Sequence, residues 1–128
     1  MAALKNYSII QGEDKIITID LLRDSTTIDL TSDVNIWAVL KSGTTTIYTY
    51  SSKIISGNGK IIMPISTLIN EFTLSIIRDE SKTFASGNIN VAVLLEEITG
   101  QDIEPKRTEF VLPGLITVIN GITKDIII

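Results

Sequence analysis

Paired carboxylates are the side chains of this sequence with the most chemical potential. Asp29 stands near Asp33, and Asp79 is next to Glu80. Two carboxylates held close could share one proton or ligate Ca2+. Calcium needs several oxygens converging on one point, and no loop of this chain has that density of donors. The simpler reading makes all four acids solvated turn and helix-start residues. Glu96, Glu97, Asp102 and Glu104 surround one loop and could form an acidic rim for a basic partner. A solvated hairpin tip accounts for them more simply. Tyr48 and Tyr50 alternate along one stretch, with Trp37 in the other arm of the same hairpin. An aromatic platform for a sugar has this form; so does core and cross-strand packing. Gly57-Asn58-Gly59 is glycine-rich, but no Lys-Ser/Thr follows it and no helix is signalled. It is therefore a turn and not a phosphate loop.

The absences narrow the chemistry further. The chain has no cysteine and no histidine. Disulfide frameworks, thiol nucleophiles, the usual zinc sites and triads of the Ser-His-Asp type all drop out. No cofactor, no metal and no catalytic residue is predicted. A glycosidase using only Asp and Glu needs two carboxyls facing each other across a cleft, which a domain this small hardly accommodates. The net charge is −4, and the only adjacent basic pair is Lys106-Arg107. A nucleic-acid binder should carry a basic stripe, so nucleic acid is not an expected partner. No apolar run is long enough to span a bilayer, so no membrane is expected either. Residues Met1 to Asn6 lack the apolar core of a signal peptide, which predicts folding in the cytoplasm without export by the general secretory route.

The elements that would position these residues are strands. With 128 residues, 44% hydrophobic and 20% charged, the composition is that of one globular domain. Isoleucine dominates the apolar set, followed by threonine and valine, a β-branched bias that suits pleated surfaces. The central stretch runs from Val34 to Lys41. Val34, Ile36, Ala38 and Leu40 share one face; Trp37 and Val39 share the other. Being apolar on both faces, it reads as a strand covered on both sides. Lys15 to Leu22 alternates with Ile17, Ile19 and Leu21 inward. Asn88 to Glu96 alternates with Ile89, Val91, Val93 and Leu95 inward.

Further strands are predicted at Tyr7 to Ile10, Thr46 to Tyr50, Lys60 to Ile65, Phe72 to Ile77, Lys106 to Leu112 and Leu115 to Ile119. Asn58-Gly59 is the strongest hairpin signal in the chain. Arg78 to Lys82 reads as a charged turn or one helical turn, and Pro113-Gly114 as a break. Turn signals recur about every ten residues, which predicts a single β-sandwich domain, with a small closed barrel as the alternative. Its core spans about residues 8–119. Residues 1–7 and 120–128 read as terminal arms. Ile126, Ile127 and Ile128 are apolar where a soluble terminus is normally polar. Either they dock on a neighbouring subunit or they pack on their own sheet. Together with Tyr7 they are the candidate interface residues.

The turn Gln11-Gly12-Glu13-Asp14 precedes a strand. Thr27-Ile28-Asp29-Leu30-Thr31 bridges into a strand that ends in Leu40-Lys41. Leu74 to Ile77, an acidic turn with Thr83, Gly87 and an alternating strand at Asn90 to Leu95 follow. This order resembles the Ig-like β-sandwich domain found at the N-termini of tailed-phage baseplate and tail-fibre proteins, the baseplate upper protein family among them. The resemblance covers about Ile10 to Val118. It implies an all-β, Ig-like antiparallel β-sandwich in a virion structural or adaptor protein, with no enzymatic activity. It also implies other virion proteins as partners and a homo-oligomer in a symmetric ring or trimer at the baseplate, tail, neck or head. A carbohydrate-binding module, gripping a surface through Tyr48 and Tyr50, is the alternative function.

Overall fold

A computed structural model of the chain describes residues 7–23, 26–31, 34–63, 69–98 and 106–119. Among the described residues ten strands and one short helix follow in chain order. They are β1 (Tyr7–Ile10), β2 (Lys15–Asp20), β3 (Leu22–Arg23), β4 (Thr26–Thr27), β5 (Val34–Ser42), β6 (Thr45–Ser51), β7 (Gly59–Ile62), β8 (Glu71–Ile76), α1 (Arg78–Ser81), β9 (Gly87–Glu97) and β10 (Lys106–Ile119). β3 and β4 form a two-stranded ribbon of their own. The other eight strands form one sheet in the order β1-β10-β9-β5-β6-β7-β8-β2. The protein is thus all-β. The sheet is mixed: β1 pairs with β10 in parallel, β6 pairs with β7 in parallel, and the remaining ladders are antiparallel. Hydrogen bonding runs unbroken from β1 to β2, so one sheet curls nearly into a barrel where two facing antiparallel sheets were predicted.

Period-2 alternation explains which residues form the core. Ile17 and Ile19 of β2, Ile36, Ala38 and Leu40 of β5, Phe72, Leu74 and Ile76 of β8, and Ile89, Val91, Val93 and Leu95 of β9 are all buried in one cluster. Each large member contributes about 1.5–3 kcal/mol by leaving water. Trp37 departs from the expectation. It lies half-buried on the outer face of β5, with the Lys53 ammonium 5.4 Å from its ring centroid. A curled sheet has one enclosed face, so the second apolar face of β5 lies outside it, and among the described residues the Lys53 ammonium lies over Trp37.

Two other strand predictions change for local reasons. Residues Pro113-Gly114 do not end a strand. β10 stays paired with β9 on both sides of an irregularity between Leu112 and Ile116. Gly114 takes φ 62° there, and its N–H donates to Asn90 Oδ1 at 2.7 Å, so a side chain stands in for the interrupted ladder. Asn58-Gly59 does not make a hairpin. The turn lies one step earlier, closed by Asn58 N–H donating to Ile55 O at 3.1 Å, with Gly57 at φ 86°. That is the position of a type II turn that requires positive φ. The chain then enters β7 parallel to β6, pairing Gly59 with Tyr50.

The edges of the sheet, β1 and β2, are joined by the turn of residues 11–14. Tyr7 Oη donates to Thr18 O at 2.9 Å, linking one edge strand to the other. Ile9 of β1 is buried in the common core.

Candidate functional site

The densest set of buried polar groups lies where the turn after β1 meets α1. The segment begins at Ile77, whose carbonyl accepts from Glu80 N–H and Ser81 N–H, both at 3.0 Å. Asp14 Oδ1 accepts from Arg78 N–H at 2.7 Å, so a remote carboxylate caps the first turn of α1. Ser81 Oγ accepts from Gly12 N–H at 3.1 Å and donates to Glu13 O at 2.7 Å. Gln11 Nε2 donates to Phe84 O at 2.6 Å, and Gln11 N–H donates to Ile119 O at 3.0 Å. The turn therefore ties three distant parts of the chain together. Ser81 and Gln11 are buried, at 0% and 4% exposure, so each bond replaces water that cannot reach it.

Glu80 completes this junction. It is 9% exposed, and its Oε1 accepts from Tyr50 Oη at 2.8 Å and from Ile77 N–H at 3.3 Å. Tyr50 is fully buried. Burial, then the hydrogen bond to Glu80, pushes the Tyr50 phenol far above its ordinary range, so it stays a donor. The half-buried Tyr48 ring sits 5.3 Å from the Tyr50 centroid at 48° and 6.3 Å from Phe84 at 58°. These are ordinary tilted packings. Burial and then the Glu80 charge also raise the Tyr48 phenol. The sugar platform predicted at Tyr48 and Tyr50 is not formed: both side chains turn toward the enclosed face, where Tyr50 has no surface to offer.

Of the two predicted carboxylate pairs, Asp79 and Glu80 separate. Asp79 is exposed and pairs with Lys82 at 3.4 Å, while Glu80 points inward. Asp29 is exposed and accepts from Thr31 N–H at 2.8 Å and from Thr31 Oγ1; these bonds hold its carboxyl below the usual range. That is an Asx turn. Asp33, Asp102 and Glu104 lie outside the described residues, as do Ile126, Ile127 and Ile128. Tyr7 is half-buried in β1 and packs against the core. Among the described residues no group of three or more acidic side chains is placed to hold a metal ion.

Sequence reasoning missed two polar arrangements. On the outer face Glu96 is 7% exposed, accepting from Asn35 Nδ2 at 3.0 Å and from Arg107 Nε at 3.1 Å. The Asn35 bond, then Arg107, holds its carboxyl below the usual range. Register pairs Asn35 with Glu96 and Glu96 with Arg107 across three strands; with the alignment of β5, β9 and β10 known, the row could have been read. The second is Asp20 opposite Glu71, across β2 and β8. Partial burial, then the Asp20 charge, raises the Glu71 carboxyl. No family model matches the chain. No curated protein matches it either.

Proposed function

We propose that this protein is a non-enzymatic structural or adaptor component of a tailed-phage particle, working by assembly through subunit interfaces. The observation that carries the reading is how the polar side chains are spent. Gln11, Asp14, Glu80, Ser81 and Glu96 are committed to backbone or to internal partners, so the groups best suited to chemistry serve to hold the frame. The surface also carries exposed apolar side chains. Ile54 is 106% exposed, Ile16 65% and Val111 64%, side chains that a neighbouring subunit would cover. The resemblance to baseplate and tail-fibre domains supplies the particle. The Ig-like two-layer arrangement belongs to the same reading, with β10-β9-β5 facing β7-β8-β2 across the shared core.

A symmetric ring or trimer of copies at the baseplate, tail, neck or head is the natural assembly. Tyr7 and the apolar residues Ile126 to Ile128 would add contacts to neighbours. Light scattering of the purified chain, followed by antibody labelling of assembled particles, tests this. A discrete oligomer and label at one fixed place on the particle are expected. Unlabelled particles, or measured catalytic turnover, would overturn it. Removal of residues 122–128 tests the tail separately: unchanged oligomer size and unchanged incorporation into particles would rule out its docking role.

A further inference from the structure

Gly57-Asn58-Gly59 is the one motif of the sequence that the function above leaves unused. Its two glycines have different reasons. Gly57 supplies positive φ for the turn. Gly59 is buried with its Cα against the Tyr50 ring; a Cβ there would overlap Tyr50 Cδ2, Cε2 and Cζ. An asparagine is thereby followed by the one residue type without a side chain to hinder its backbone nitrogen.

We infer that Asn58 is a site of spontaneous deamidation whose rate is set by the packing of Gly59 on Tyr50. In the reaction the backbone nitrogen of Gly59 attacks Asn58 Cγ and loses its proton, and the side-chain nitrogen leaves as ammonia. A five-membered succinimide closes. Water then opens the ring at one carbonyl or the other, giving aspartate or isoaspartate at position 58. Water is the only co-reactant. To reach Cγ, the Gly59 nitrogen must rotate out of the strand. In the folded chain Gly59 is seated on Tyr50 and paired with it in the β6–β7 ladder. Reaction therefore proceeds from states in which the start of β7 has lifted. That junction is short, with Tyr50↔Gly59 and Ser51↔Lys60 as its pairs to β6, and lifting Gly59 alone leaves the pairs of Lys60, Ile61 and Ile62 with β8 in place. Isoaspartate then inserts one carbon into the backbone just before Gly59. The lengthened chain cannot restore both the ladder register and the seat on Tyr50, so the opening becomes permanent.

The experiment is timed incubation at mildly alkaline pH, with peptide mapping that separates this site from Asn120-Gly121. Asn58→Gln serves as the unreactive control. In urea the site converts readily; in the native chain conversion is slower by roughly tenfold or more. Tyr50→Leu, which removes the ring from Gly59, brings the folded rate toward that in urea. Ile61→Val provides a milder variant if Tyr50→Leu does not fold. It loosens buried Ile61 of β7 without touching Tyr50 and speeds conversion by roughly two- to tenfold. Equal rates in native and unfolded chain, or no acceleration in Ile61→Val, would overturn the gating. No conversion in urea would overturn the site itself.

Discussion

Tyr50 and Glu80 show how much depends on a single side-chain pair. The phenol donates to a carboxylate that is nearly out of reach of water. Removing the hydroxyl leaves that oxygen with only the longer bond from Ile77 N–H. Tyr50→Phe should therefore cost about 2 kcal/mol, seen as a lower urea midpoint with an unchanged slope. Two glutamates make opposite predictions about pH. Glu71 has its folded pKa raised, so it stabilises the native state below the ordinary glutamate range, and that gain is lost as pH rises through the raised value. Glu71→Gln should be more stable than the parent at neutral pH, with the difference closing in acid. Glu96 has its folded pKa lowered, so its contribution is present above the ordinary range and is lost as pH falls through the lowered value. Glu96→Gln should be less stable at neutral pH, with that difference also closing in acid. Urea midpoints at neutral pH and near about pH 3 decide both. None of these pairings was legible from residue type. Glu80 looked like half of an acidic pair, because a sequence does not say that Tyr50 points inward beside it.

Elements were more legible than their partners. Alternation at Ile17-Ile19-Leu21, at Ile36-Ala38-Leu40 and at Ile89-Val91-Val93-Leu95 located three strands and the faces they bury. Local turn chemistry was less reliable. Asn58-Gly59 carries the composition of a hairpin turn, yet it leads into a parallel ladder, and Gly59 leaves a bare backbone beside the Tyr50 ring. Pro113-Gly114 carries the composition of a break, yet β10 continues because Asn90 accepts the bond that would otherwise be lost. Asn90→Ala should therefore cost about 1–2 kcal/mol and raise amide exchange at Gly114 and Leu115 more than elsewhere in β10. Asp14→Ala removes the cap on α1 and should cost about 1 kcal/mol, with Arg78 N–H losing protection first.

The whole molecule is a sheet whose two edges come within a side chain of each other. Composition forecast strands and hydrophobic alternation forecast one core, but pairing order depends on contacts between residues far apart in sequence, which periodicity does not record. Hydrogen exchange should rank the ladders. β5 and β9 lie inside the sheet with long ladders on both sides and should exchange last, while β1 and β2, each paired on one side in the sheet, should exchange first. Tyr7→Phe removes the hydroxyl that spans those edges and should raise exchange in β1 and β2 together. The pairing of Tyr7 with Ile116 also puts an order on biosynthesis. β1 leaves the ribosome before every other described strand, but the strand it must lie beside is finished only when Ile119 has followed. Throughout that interval the backbone of β1 has no ladder to join, and a chaperone or a neighbouring nascent chain has its longest opportunity to bind there.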